Sequence, residues 1–165
     1  MVSASSDPAS LSATASALRT LAGHLTAAAE DLRAPIEGPR LSAAQRRHVQ
    51  EVCRAAADLA RLAQHGGDLL NHTAYRQARE AHDIRSLEDR ATASGLVRGE
   101  GGYGLAPGIS GVAVPAVVAG RAEALAHAQS RADELVAARQ TADAAFIEKL
   151  RDLTAAATRV ADALR

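Results

Sequence analysis

Residues 41–93 read LSAAQRRHVQEVCRAAADLARLAQHGGDLLNHTAYRQAREAHDIRSLEDRATA. Apolar positions step through this stretch by three and four: Val49, Val52, Ala56, Leu59, Ala63, Gly66, Leu70 and Thr73. After the polar Gln77 and Glu80 the register returns with Ile84, Leu87 and Ala91, and Leu62 and Leu69 widen the stripe. A helix completes a turn in 3.6 residues, so this spacing lines one face with apolar groups. No Pro interrupts the run, and its only glycines are Gly66 and Gly67. Two readings stay open at that pair: a break with Asp68 capping a new helix, or one continuous helix whose missing side chains admit a close neighbour. Gly costs about 1 kcal/mol against Ala in a helix interior, which is too little to decide between them.

On the N-terminal side, Asp7 followed by Pro8 reads as a helix start, with an acceptor at the N-cap and Pro at the first helical position. Leu11, Leu18, Leu25 and Leu32 recur at every seventh residue, with Leu21 and Ala28 filling the intervening position. This predicts a helix over 8–33 with one narrow stripe. Pro35, Gly38 and Pro39 end it, and the short connection 34–40 folds it back on the long helix. Ser42 with Gln45 three residues later has the form of a capping box.

On the C-terminal side, 94–114 is rich in Gly and reads as a long connecting loop whose second half, from Ile109 onward, is apolar. Pro115 opens a last helix carrying Val118, Leu125, Ala128, Ala132, Leu135, Ala142 and Phe146, then Leu150, Leu153, Ala157, Val160 and Leu164 displaced by one residue. The fold expected is all-α: an elongated antiparallel helical bundle of three long helices, 8–33, 41–93 and 115–164, joined by the Gly-rich loop 94–114 into a single domain. Leu59, Leu70, Leu125 and Phe146 are its expected core.

Composition narrows the function. About a quarter of the 165 residues are Ala, and Tyr75, Tyr103 and Phe146 are the only aromatics. Such a chain builds thin, close-packed helical layers. Its formal net charge is zero, which argues against a general affinity for nucleic acid or anionic membrane. Cys53 stands alone, so no intrachain disulfide can form. Residues 1–10 hold no basic residue and no apolar run, unlike a Sec-type leader, and no stretch is long and apolar enough to span a bilayer. The expected location is the cytoplasm, or outside the cell by a route other than Sec.

No catalytic set stands out, and no enzyme activity, cofactor or metal is expected. Gly99-Glu100-Gly101-Gly102-Tyr103-Gly104 matches the dinucleotide pattern G-x-G-x-x-G, yet neither a preceding strand nor a following helix is expected around it. His65, Asp68 and His72 have metal-ligand spacing on one helix side, but no Glu-x-x-His occurs anywhere in the chain. Cys53 flanks the seam as a small packing residue.

The arrangement resembles the WXG-type helical hairpins of ESX, or type VII, secretion substrates. Leu18-Arg19-Thr20-Leu21-Ala22-Gly23-His24-Leu25 is similar to their first helix, and Gly67-Asp68-Leu69-Leu70 with Ala74-Tyr75-Arg76-Gln77-Ala78 to their second. The segment Ala142 to Phe146 before Leu150 and Leu153 is similar to a further helix in longer members, including toxin N-terminal regions. The turn here carries Gly38 without a Trp, and Arg79, not an acid, stands at the spacing of the family's Tyr-x-x-x-Asp/Glu signal, with Glu80 one residue later. The resemblance implies a non-enzymatic, secreted or secretion-associated module with Tyr75 and Glu80 as candidate export signal. The alternative is a cytosolic coiled-coil scaffold or adaptor without export.

A short first helix leaves part of the long one uncovered. Leu69, Leu70, Ile84 and Leu87, together with Ile109, Val112 and Val114 from the loop, are therefore the expected partner-binding surface. The expected partner is a second copy of the chain or a small helical-hairpin protein.

Overall fold

The computed structural model describes residues 7–34, 41–99, 101–106 and 115–164, with side chains from 117 onward in the last segment. The elements are α1 (Pro8–Arg33), α2 (Ala43–Ala93), β1 (Leu96–Gly99), β2 (Gly102–Leu105) and α3 (Pro115–Asp162). Three long helices thus stand close to the expected limits. The Gly-rich stretch, expected as a loop, instead contains two strands. Contacts gather in two compact units: Met1–Arg76 with Ala145–Arg165, and Gln77–Ala144.

In the first unit the helix starts follow local chemistry. Asp7 occupies the α1 N-cap, but its side chain makes no capping bond; its carbonyl accepts the Leu11 N–H at 3.1 Å. The capping box of α2 is complete: Ser42 N–H donates to Gln45 Oε1 at 2.9 Å, and Gln45 N–H donates to Ser42 Oγ at 3.2 Å. Two otherwise orphaned donors are satisfied this way. Ser and Thr inside α1 turn their hydroxyls back onto the helix, as Thr14 does to the Ser10 carbonyl at 2.9 Å and Thr20 to Ser16 at 3.1 Å.

α2 runs 51 residues without a break, so the continuous reading at Gly66-Gly67 is the correct one. The cause is the approach of α1. A methyl group placed on Gly67 would lie 3.0 Å from the Ala15 carbonyl oxygen and 3.2 Å from Arg19 Cγ, and one on Gly66 would lie 3.3 Å from Leu18 Cδ1. At the other end of the contact the Cys53 thiol donates to the Ala29 carbonyl at 3.4 Å. The start of α1 therefore meets the middle of α2, and the end of α1 meets its beginning, so the two helices run in opposite directions here. Asp68, read as a possible cap or ligand, takes the Arg19 guanidinium at 2.9 Å. Both partners are well exposed, so this pair adds at most about 1 kcal/mol.

The expected α1 stripe needs correcting in part. The most buried positions against α2 are Ala15, Ala22 and Ala29, at 0%, 6% and 4% exposure, while Leu21 and Leu32 are 48% and 42% exposed. Leu11, Leu18 and Leu25 are half-buried, and Leu18 enters the contact where Gly66 and Gly67 carry no side chain. The expected core is corrected in part as well. Leu70 is buried, but Leu59, Leu125 and Phe146 are only half-buried. Phe146 therefore carries less stability than the roughly 3–5 kcal/mol of a fully enclosed Phe.

In the second unit α2 stops at Gly95, whose φ of +73° suits a residue without Cβ. Its N–H donates to the Thr92 carbonyl at 2.9 Å, and its own carbonyl accepts the Ala106 N–H at 2.9 Å, which closes the base of a β-hairpin. β1 and β2 pair antiparallel with Leu96 opposite Leu105, Arg98 opposite Tyr103 and Gly99 opposite Gly102. Leu96, at 2% exposure, is the plug of this unit. It clusters with Leu87, Ala91 and Ala128, and Tyr103, Leu125, Ala132 and Leu135 pack around them.

The glycines of the first unit generate a paired prediction. Gly67→Ala should destabilise the protein by about 1–3 kcal/mol, since overpacking against backbone outweighs the better helix propensity. Gly23→Ala, where a methyl group meets nothing within 4 Å, should stabilise by about 0.5–1 kcal/mol. Urea unfolding of both variants checks the opposite signs.

Candidate functional site

The β-hairpin and the helix segments beneath it form the most constructed part of the described chain. Its strands could not sit over two helices without anchors, because a short two-stranded ribbon is marginal alone. Leu96 supplies the apolar anchor. Two polar anchors tie the edges. On the β1 side Arg98 pairs with Glu88 of α2. On the β2 side the Tyr103 N–H turns away from β1 and donates to Gln129 Oε1 of α3 at 3.2 Å. Gln129 is held in turn by its Nε2 donating to Asp133 Oδ1 at 3.2 Å. A strand edge whose N–H is taken by a side chain is closed to further strand pairing at that point.

Gly102 lets the amide come this near. Its φ is +115°, and a methyl group there would fall on the Gln129 carboxamide. The G-x-G-x-x-G pattern thus has a strand before it after all, contrary to expectation. Its second half is the return strand and not a helix N-terminus, so the amides that would cradle a phosphate are spent on the hairpin.

Beside the hairpin lies a cleft of about 390 Å3, lined among others by Glu80, Ile84, Tyr103, Asp133, Val136 and Arg139. A second cleft of about 470 Å3 includes Asp83, Arg90, His127 and Arg131 over a floor of Leu87, Ala91 and Leu96. Several rim charges in these clefts are paired: Arg131 with Glu134 at 2.7 Å, and Arg139 with Asp143 at 3.7 Å. Such pairs fix side-chain positions along a surface and leave its apolar floor as the part able to gain from contact.

The expected partner-binding residues divide between the units. Ile84 and Leu87 come together near the hairpin, with Glu80 half-buried at the cleft rim. Leu69, Leu70 and Tyr75 belong to the first unit. The expected uncovered flank is corrected: Leu70 and Leu87 are each 9% exposed, and Leu69 and Ile84 are half-buried, because the chain itself supplies their cover. Ile109, Val112 and Val114 lie outside the described residues. Tyr75 is 70% exposed and open to recognition. His65 and His72 are exposed on α2, and among the described residues no three His, Cys, Asp or Glu side chains gather closely enough to hold a metal ion. None of the described helices is long and apolar enough to cross a membrane.

Sequence reasoning missed Leu96, Gly102, Tyr103 and Gln129. A signal was there: Leu96-Val97-Arg98 and Tyr103-Gly104-Leu105 flank a Gly-bounded two-residue turn, a short hairpin pattern. Comparison with protein-family models, with curated proteins and with solved structures finds no match to this chain.

Gly102→Ala should detach the hairpin edge. The Tyr103 amide is expected to lose most of its hydrogen-exchange protection. Gly101→Ala, where a methyl group meets nothing within 4 Å, should leave that protection unchanged. Equal protection in both variants would contradict the Gln129 anchor.

Proposed function

We propose that this chain is a non-enzymatic helical interaction module of the type VII secretion kind, acting by helix–helix binding to a partner. The observation that carries the reading is the α1–α2 contact: an unbroken α2 that seats α1 antiparallel through Ala15, Ala22 and Ala29 against Gly67 and its neighbours. A helical hairpin is the unit that the sequence resemblance implies. The 70% exposure of Tyr75 supports its part as an export signal. Glu80, half-buried and engaged within the chain, suits a positional role beside it less well.

Export is tested in the host of the protein by following the tagged full chain in medium and lysate, with and without the secretion ATPase. The chain should reach the medium only when the ATPase is present. Tyr75→Ala should abolish that transfer and leave the lysate level unchanged. Retention in the lysate in both strains would reject the secretion reading and favour an intracellular scaffold.

A further inference from the structure

Two opposite charges share one cleft of the second unit without pairing. Asp83 and Arg90 of α2 both line the cleft of about 470 Å3 whose floor is Leu87, Ala91 and Leu96. Neither side chain has a hydrogen-bond or ion-pair partner among the described residues. Their spacing explains this. They stand seven residues apart, two turns along one face of α2, with Ser86 and Leu87 between them on that face. At 1.5 Å per residue their attachment points are about 10 Å apart along the helix axis. Asp83 is half-buried, so a cation that reaches it is screened less than at an open surface. From α3, His127 and Arg131 line the same cleft. They flank Ala128, which clusters with Ala91, and so add to the basic end marked by Arg90. Arg131 donates to Glu134 through Nη1, and a guanidinium has further N–H donors for a second acceptor. The cleft thus has an acidic pole, an apolar floor and a basic pole. Its volume falls in the range of roughly 300–1,000 Å3 common to small-molecule sites.

We propose that this cleft binds a short apolar peptide, free at both ends. Its ammonium meets Asp83, its carboxylate meets Arg90, and its side chains cover the floor. Length follows from the poles. An extended chain advances about 3.3 Å per residue, so about three residues span the gap. A fatty acid or an alkylamine matches one pole and leaves the other unpaired. A peptide with both ends free satisfies each pole with a charge-assisted hydrogen bond. This ligand site goes beyond the helix–helix reading of the chain and stands independently of it.

A chemical-shift titration of the full chain with the tripeptide Leu-Ala-Leu tests it, read at the methyl groups of Ala91, Leu96 and Ala128. The free tripeptide should shift these signals to saturation. Its N-acetyl form and its C-terminal amide each lose one charge, and each should bind at least about tenfold more weakly. Arg90→Gln should bind the free tripeptide and the amide alike. Asp83→Asn should bind the free tripeptide and the N-acetyl form alike. Circular dichroism checks the fold of both variants. Should either unfold, the blocked peptides on the wild-type chain decide, since they leave the protein intact. No shift at millimolar tripeptide would overturn the proposal. So would equal binding of free and blocked peptides, which would mean apolar contact alone. Neither result bears on export, which the medium assay reads separately.

Discussion

The approach of the Ala15 carbonyl to Gly67 sets the terms for the first unit. Nothing larger than hydrogen fits on Gly67 without moving backbone. Once the helices are that close, neighbouring contact positions must be small as well, and Ala22, Ala29 and Cys53 are. Short-range dispersion between the backbones adds to the packing of Leu18 against the glycine pair. The helix-propensity cost of the glycine pair is set against that contact. This explains the continuity of α2: glycines that look like a break in isolation are the places where the neighbour enters.

The same constraint governs the surface. Leucines excluded from the close contact have to go to its flanks, which is why α1 shows Leu21 and Leu32 to solvent. Small residues make the closest contact with α2, and Leu21 and Leu32 stand at its flanks. Arg19 with Asp68 and the hydroxyl back-bonds of α1 add register and local satisfaction to the arrangement without supplying its cohesion.

The second unit solves another problem, how to end one helix and begin the next while sealing the apolar faces between. Gly95 stops α2, and the hairpin brings Leu96 into the helix contact. Ala91 and Ala128 leave the space that Leu96 fills. The polar ties through Glu88 and Gln129 then hold a ribbon too short to be stable by itself. Arg131 and Glu134 pair at the rim of a cleft whose floor is Leu87, Ala91 and Leu96.

Local sequence determined the helices, their starts and their lengths. Three-and-four periodicity, Pro8 at a first turn and the Ser42–Gln45 box act within a few residues, so they are legible without tertiary context. The choice of which α1 stripe faces inward was not legible. Both the leucine and the alanine rows of α1 have helical spacing, and only the close approach to Gly67, far along the chain, puts Ala15, Ala22 and Ala29 deepest and leaves Leu32 at the edge. The hairpin was half legible, since its Gly-bounded turn is local, but its anchors Gln129 and Glu88 come from separate helices. Periodicity reports that a residue is apolar on a face. Which neighbour covers that face, and at what distance, is fixed by contacts between residues far apart in the chain, and these only the tertiary structure supplies.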